Sequence, residues 1–287
     1  MADRSTSGGH VSGWLVQAAD ALTSVLFPAD CRICERLLLS SRRFPICEAC
    51  LQSFAPLQGP LCAICGLPMS TWSLGPPSPP GRQPPSEIFC PACRMGSWGF
   101  DRARSFAEYK TALIRAIVLL KFEQIEPLGR WFAGHLGAVA GQHNLQADIV
   151  VPVPLHRQRE RERGYNQADL IARPLARQLG LPYRAVLLVR TRPRPNKQVL
   201  TLEERWDSVR GAFATRPGSQ VDNLRVLLVD DVMTTGATLD ACARALRAAG
   251  AKSVIGLTVA RAARHPLAGS LESNQRGASE RTKIRLL

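Results

Sequence analysis

The chain has 287 residues, with 37 Lys or Arg against 23 Asp or Glu, which gives a formal net charge of +14. Its 45 % hydrophobic and 21 % charged residues exclude a fully disordered or collagen-like chain. Residues 1–100 hold 7 basic and 6 acidic side chains, whereas residues 101–287 hold 30 and 17. The excess in the C-terminal part is compatible with a nucleic acid or an anionic small molecule as partner, and it identifies neither.

The first segment predicts a polar tail followed by one amphipathic helix. Residues 1–12 are polar, and apolar residues then recur at helical spacing as far as Leu26, before Pro28 ends the pattern. No run in the chain approaches the roughly 20 apolar residues that span a bilayer. The N-terminus also lacks the basic segment of a signal peptide. We therefore expect a cytoplasmic chain without a membrane span.

Eight of the nine cysteines form four C-x-x-C pairs before residue 94. Two such knuckles complete a tetrahedral metal site, and we expect two zinc ions rather than iron–sulfur clusters or redox dithiols. Closed four-thiolate sites hold a core-poor segment together rather than catalyse. Pairing in chain order gives spacers of 12 and 24 residues, the longer one containing a Pro-rich loop at residues 75–85; an interleaved pairing stays open. The predicted ligands are Cys31, Cys34, Cys47, Cys50, Cys62, Cys65, Cys90 and Cys93.

Beyond residue 100 the sequence alternates between helix and strand patterns. Helices are predicted at residues 111–122, 131–140, 166–180 and 239–249. Strands are predicted at residues 106–109, 148–153, 225–229 and 253–259. Asn166 is the expected N-cap of its helix, with Asp169 completing a capping box, and Cys242 is expected to be a buried, inert thiol. Strands that alternate with helices indicate a parallel sheet covered on both faces.

The segment VLLVDDVMTTGAT at residues 226–238 combines a buried strand, two adjacent acids and a turn into a helix. Helix N-terminal N–H groups, a glycine and three hydroxyl groups form a cradle for phosphate. The acids would repel phosphate unless they meet hydroxyl groups or Mg²⁺, which a phosphorylated sugar provides. The alternative is a capped turn with surface acids. The site residues are Asp230, Asp231, Thr234, Thr235, Gly236, Ala237 and Thr238.

This segment resembles the phosphoribosyl pyrophosphate (PRPP) motif of type I phosphoribosyltransferases. With the cysteine knuckles before it and VPVPLHRQRERERGYNQ between them, residues 20–262 are similar to the ComF family. The resemblance implies an α/β fold, a parallel-sheet type I phosphoribosyltransferase fold preceded by a small zinc-ribbon module with four-cysteine sites. The expected divisions are a tail and helix at 1–27, a double zinc ribbon at 28–98, the phosphoribosyltransferase-like domain at 99–264 and a flexible tail at 265–287.

The resemblance also assigns roles to individual residues. Asp230 and Asp231, the catalytic candidates, hold the ribose hydroxyls, and residues 234–238 wrap the 5′-phosphate. Lys121 and Phe122 match a Lys–aromatic pair of the family, and residues 195–213 match a mobile loop. That loop offers Lys197 and Gln198 as contacts. The pyrophosphate-loop candidates are Pro154, Leu155, His156, Arg157 and Arg163.

The arginine-rich run at residues 157–163 has two interpretations. It directly follows a strand end and is placed to contact a phosphate. Its arginines also alternate with Glu160 and Glu162, the pattern of a solvated helix with i,i+4 pairs.

Two functions follow from these observations. One is transfer of a phosphoribosyl group from PRPP with Mg²⁺ to an unidentified acceptor, with release of pyrophosphate and a link to DNA uptake in competence. The other is a non-catalytic competence factor that binds single-stranded DNA through the zinc ribbons and the basic face, with a regulatory or vestigial PRPP site.

Overall fold

The computed structural model describes residues 29–38, 44–69, 87–193 and 201–262. The predicted N-terminal helix, the Pro-rich loop at 75–85, the contacts Lys197 and Gln198 and the C-terminal tail lie outside these residues. Among the helices that it does describe, none is long and apolar enough to cross a membrane.

The described segments form eight helices and six strands. The helices are α1 (Glu48–Gln52), α2 (Pro91–Met95), α3 (Thr111–Phe122), α4 (Pro127–Gln142), α5 (Arg157–Arg163), α6 (Gln167–Leu179), α7 (Leu202–Asp207) and α8 (Ala237–Ala248). The strands are β1 (Arg102–Glu108), β2 (Ile149–Pro152), β3 (Leu188–Arg190), β4 (Phe213–Thr215), β5 (Arg225–Met233) and β6 (Ser253–Arg261).

Four parallel strands build the central sheet in the order β1-β6-β5-β2, which confirms the predicted parallel sheet. β5 and β6 are nearly continuous apolar runs because the sheet is buried on both faces. Their register places Met233 opposite Arg261. β3 and β4 form a separate antiparallel pair.

The two faces of the sheet carry different layers. On one face, α3, α4 and α6 pack against Val150, Leu227 and Val229. On the other, α8 and the β3–β4 pair pack against Val226 and Leu228. Because side chains alternate along a strand, each apolar strand contributes to both cores.

The two cysteine modules also divide between the faces. The first module (residues 29–38 and 44–54) joins the core of α3, α4 and α6. The second module (residues 61–69 and 87–95) joins the core that contains α8. Between the modules, Leu57 donates its N–H to Phe106 O and Ala55 O accepts from Glu108 N, both at 3.0 Å. These bonds cover the outer edge of β1, which would otherwise be open to pairing.

The structure extends or corrects several predicted bounds. The helix at 111–122 is confirmed as α3, whereas β5 runs to Met233 and contains both acids that the sequence placed after it. The predicted capping box of α6 is wrong. Asn166 caps the helix by accepting from Ala168 N at 3.1 Å, but Asp169 pairs with Arg173 instead.

Candidate functional site

The eight paired cysteines form two groups of four thiols. The Sγ atoms within each group lie within 4.8 Å of one another: Cys31, Cys34, Cys47 and Cys50 in one, and Cys62, Cys65, Cys90 and Cys93 in the other. Four sulfurs bound to zinc at about 2.3 Å lie about 3.8 Å apart. The Sγ–Sγ distances of 3.8 Å for Cys31–Cys50 and 3.6 Å for Cys65–Cys90 fit that size. The knuckles therefore pair in chain order, and the interleaved alternative is wrong.

Backbone N–H groups support the thiolate form of these sulfurs. Cys47 N donates to Cys31 Sγ, and Cys90 N donates to Cys62 Sγ, each at 3.3 Å. Zinc binds cysteine as the thiolate, so both groups have the ligand chemistry of a structural zinc site.

The predicted phosphate segment forms a turn between β5 and α8. Gly236 is the N-cap of α8 with a φ of 89°, a left-handed conformation that glycine adopts without strain. A Cβ there would lie 2.9 Å from Met233 Cε and 3.0 Å from Trp98 Cζ3. Thr235 Oγ1 accepts from Ala237 N at 3.2 Å. The partly exposed hydroxyls of the turn are those of Thr234, Thr235 and Thr238.

Asp230 and Asp231 are adjacent near the carboxyl end of β5, and their side chains lie close enough to interact. Asp231, 4 % exposed, forms an ion pair with Lys121 of α3. Asp230, 7 % exposed, accepts a hydrogen bond from Asp231 N at 2.8 Å. Burial, then the charge of Asp231, raises the pKa of Asp230 well above its ordinary value, and Lys121 opposes that rise. On the α8 side, burial and then the charge of Asp230 raise the pKa of the buried Cys242 thiol.

The C-terminal end of α3 brings cationic side chains to the acids. Lys121 pairs with Asp231, and the Arg163 guanidinium lies over the ring of Phe122 at 4.8 Å. Burial lowers the pKa of Arg163, while the charge of Asp231 counters that effect. Lys121 and Asp231 thus form an ion pair, and Arg163 lies near enough for its charge to interact with that of Asp231; we call these three residues the charged cluster.

The predicted pyrophosphate loop is short in the structure. Residues 154–156 are loop, and the arginine run then forms α5, which Gly164 ends with a φ of 84°. His156 caps this helix, since its Nδ1 accepts from Gln158 N at 3.4 Å. Within α5, Gln158 donates to Glu162 at 2.9 Å, the i,i+4 pattern of a solvated helix. Of the two predicted arginines, Arg163 reaches the charged cluster, whereas Arg157 lines a cleft of about 380 Å³ with Pro154 and Leu155.

Comparison with known proteins covers both parts of the chain. Residues 22–94 match the double zinc ribbon domain, and residues 167–270 match the phosphoribosyl transferase domain. Competence protein ComFC of Bacillus subtilis is 27 % identical over 227 residues, 75 % of this chain and 84 % of that protein. Competence protein F of Haemophilus influenzae is 34 % identical over 108 residues, 37 % of this chain and 47 % of that protein.

A further relative decides the family. DNA utilization protein YhgH of Salmonella typhi is 30 % identical over 236 residues, which make up 79 % of this chain and 94 % of that protein. The chain belongs to the ComF family. This ComF-family protein has the expected fold, a type I phosphoribosyltransferase domain on a parallel sheet of four strands, preceded by zinc ribbons.

The two four-thiol groups of this ComF-family protein are the zinc sites of its double ribbon. We call Cys31, Cys34, Cys47 and Cys50 the first zinc centre, and Cys62, Cys65, Cys90 and Cys93 the second zinc centre. They lie in the first and second modules, and therefore on opposite faces of the sheet.

A cleft of about 760 Å³ lies between the first module and helices α4 and α6. Neither the two acids nor the turn lines it. Its polar and aromatic lining consists of Arg130, Arg173, Arg177, Glu126, Asp169, Phe44 and Trp131. The ComF-family protein thus presents exposed arginines and two aromatic rings at a place separate from the predicted phosphate site.

Two residues contact the turn although no motif marks them in the sequence. Arg261, at the end of β6, donates hydrogen bonds to the carbonyl of Met233 at 3.1 Å and to that of Thr234. Trp98 lies against Gly236 and packs on Trp206 with ring centroids 5.6 Å apart. The sequence signal for Arg261 is a single arginine that ends the apolar run 253–260.

Proposed function

We propose that this chain binds PRPP with Mg²⁺ and transfers its phosphoribosyl group to an acceptor, with release of pyrophosphate. The observation that carries the proposal is the left-handed turn at Gly236, which joins the acidic end of β5 to the N-terminus of α8. A helix N-terminus offers unsatisfied N–H groups and a favourable dipole to a phosphate. The match to the phosphoribosyl transferase domain supports the same assignment.

In this proposal the turn binds the 5′-phosphate of PRPP and the two acids bind its ribose. Thr234, Thr235 and Thr238 supply hydroxyls to the 5′-phosphate, together with the N–H groups at the start of α8. Asp230 and Asp231 accept from the ribose hydroxyls. Their carboxylate oxygens and those of the pyrophosphate are the hard ligands that Mg²⁺ prefers, and bound Mg²⁺ neutralises charge on the leaving group.

The charged cluster beside the turn has the sign that the pyrophosphate requires. Lys121 pairs with Asp231, the charge of Arg163 acts on the same carboxylate, and both cations are able to turn toward a phosphate once ribose hydroxyls occupy that carboxylate. The departing pyrophosphate and the positive charge that develops on the ribose are stabilised by electrostatic interactions and by correct positioning of the reactants. His156 is committed to capping α5, so we assign no general base to this loop.

Calorimetric titration of PRPP in the presence of Mg²⁺ tests the assignment. Asp230→Asn and Asp231→Asn should each weaken binding by about tenfold or more, the loss expected when a hydrogen bond to a charged group is removed. Asp30→Asn, at an exposed position in the first module, is the matched control and should bind as the wild type does. Undiminished affinity in both site variants would overturn the assignment. Mass spectrometry of candidate acceptors incubated with PRPP then tests the transfer.

A second function is favoured by the cleft between the first module and helices α4 and α6. We propose that its arginines and aromatic rings hold single-stranded DNA, since basic side chains track the backbone and aromatic rings stack on bases. The relatives named for DNA utilization and competence support this use. The proposal does not depend on PRPP, and binding of an oligonucleotide at several salt concentrations tests it.

A further inference from the structure

Arg261 connects the second zinc centre to the phosphate turn. Its guanidinium donates to the Cys65 carbonyl at 3.3 Å and to Cys65 Sγ at 3.7 Å. The same group donates to Met233 O at 3.1 Å, to Ala262 O at 3.0 Å and to Thr234 O. One side chain, only 1 % exposed, therefore holds a zinc ligand and the first residue of the turn.

The charge of this buried arginine is balanced by the zinc centre. In the part of the chain that the structure describes, no carboxylate pairs with Arg261, although an isolated buried cation is costly. Zinc with four thiolates carries a net double negative charge. A second buried arginine, Arg104, donates to Ala63 O at 3.1 Å and to Cys62 O at 3.4 Å beside the same centre. The two guanidinium charges and the zinc–thiolate group therefore compensate one another.

Residues 97–99, which follow the second module, contact the turn from the side of α8. Gly99 N donates to the Asp240 carboxylate at 2.7 Å, and Arg244 donates to Ser97 O at 2.6 Å. Asp240 and Arg244 lie in the first two turns of α8. Trp98, between these anchors, lies against Gly236. The second module contacts the strand side of the phosphate turn, and the segment that follows it contacts the helix side.

Among the described residues, no side chain joins the first zinc centre to the backbone of the turn; the first module reaches the acids only indirectly, through α3, whose Lys121 pairs with Asp231. Arg115 of α3 donates to Ile33 O at 2.8 Å, and Arg32 pairs with Glu123 after the same helix. These contacts hold the first module to the opposite face of the sheet. The chain thus provides its own control, a zinc centre of the same ligand type that is not attached to the phosphate turn.

We propose that zinc at the second centre sets the geometry of the phosphate turn through Arg261, so that zinc and a phosphorylated ligand bind with positive coupling. The identity of that ligand as PRPP rests on the proposed function, whereas the ordering of the turn by zinc does not. Arg261 acts as a positioning residue, because it touches the backbone of the turn and a zinc ligand. By reciprocity, bound ligand should raise the affinity of the second centre for zinc by the same factor.

Hydrogen exchange measured by mass spectrometry tests the ordering directly. Cys93→Ser and Cys34→Ser each remove the second cysteine of one knuckle, from the second and first centre respectively, and elemental analysis verifies which zinc is lost. We expect faster exchange in peptides covering residues 230–240 for Cys93→Ser and wild-type exchange there for Cys34→Ser. Peptides from α6 should stay protected in both variants and thereby exclude global unfolding.

Substitution of the arginine separates its role from that of the metal. Arg261→Gln removes the charge, and Arg261→Lys keeps the charge but loses the forked geometry. With both zinc ions retained, each variant should increase exchange at residues 230–240, and each should weaken PRPP binding by about tenfold. Cys34→Ser should leave the PRPP affinity unchanged.

The outcomes distinguish failure of this coupling from failure of the proposed function. A wild-type protein that binds no PRPP refutes the proposed function, while the exchange experiment still decides the coupling. Wild-type protection of residues 230–240 in zinc-depleted Cys93→Ser, or in Arg261→Gln, overturns the coupling. Equal loosening of the turn by Cys34→Ser also overturns it, because the effect then does not pass through Arg261.

Discussion

Asp230 is held in a site that disfavours its charge in the unliganded protein. Burial and the charge of Asp231 raise its pKa above the ordinary 3.8, while Lys121 acts in the opposite direction. The folded protein therefore keeps a proton on Asp230 at pH values where the unfolded chain has lost it. The stability that this proton provides is complete at pH values below 3.8 and is lost as the pH rises toward the raised pKa.

Asp230→Asn should consequently stabilise the unliganded protein at neutral pH even as it removes the proposed contact with the ribose. Asparagine keeps an Oδ1 acceptor for the Asp231 N–H without a buried charge. We expect a Tm several degrees above that of the wild type at neutral pH, at about 3 °C per kcal/mol, with the difference shrinking as the pH falls toward 4. Thermal unfolding across a series of buffers measures this. A Tm difference that stays constant with pH contradicts the raised pKa.

At the scale of single elements, the turn before α8 depends on one glycine for both conformation and space. Gly236→Ala forces alanine to a φ of 89° and brings a methyl group to about 3 Å from Met233 and Trp98. Gly180→Ala is a matched control, since Gly180 ends α6 with a φ of 66° and has no atom within 4 Å of its added Cβ. Gly180→Ala should lower stability by about 1 kcal/mol, and Gly236→Ala should lower it by more because its methyl group also crowds Met233 and Trp98.

The two glycine variants should separate in ligand binding. Only Gly236→Ala displaces the turn, so only it should weaken PRPP binding, whereas Gly180→Ala should bind as the wild type does. Thermal unfolding gives the stability of each variant and calorimetric titration gives the affinity. Wild-type affinity in Gly236→Ala would show that the turn does not hold the ligand.

Local patterns predicted the elements that position the site. The apolar run before Asp230 predicted a buried strand, and the glycine and threonines after it predicted the turn into α8; both are present. Helix α3 begins and ends where its spacing indicated. These features depend on a few neighbouring residues, and they are the ones that sequence patterns report reliably.

Long-range charge contacts were not predictable in the same way. Lys121 and Asp231 are more than a hundred residues apart in sequence, as are Cys65 and Arg261, and no local periodicity links them. Parallel pairing of β5 and β6 brings Arg261 to the turn, whereas Lys121 and Cys65 reach their partners because α3 and the second module pack on the two faces of the sheet. The division of the two zinc centres between opposite faces of the sheet follows from tertiary packing in the same manner.

At the scale of the whole molecule, the charge of +14 exceeds what one bound PRPP neutralises. The first hundred residues are nearly neutral, so the excess lies on the phosphoribosyltransferase part. Three of its exposed arginines, Arg130, Arg173 and Arg177, meet at the cleft against the first module. A polyanion bound there would release counterions from its phosphates, and binding would weaken as salt rises.

The salt dependence of oligonucleotide binding therefore distinguishes binding at the cleft from attraction by the overall positive charge of the surface. Replacing the three cleft arginines with Gln should reduce the slope of log affinity against log salt by about 2, since each single-strand phosphate contact contributes about 0.7. The control replaces Arg36, Arg94 and Lys252 with Gln, which removes the same charge from exposed positions outside the cleft. Its slope should match that of the wild type in fluorescence anisotropy titrations. If the slope of log affinity against log salt decreases equally in both triple variants, the DNA is attracted by the overall positive charge of the protein and the cleft is not the DNA site.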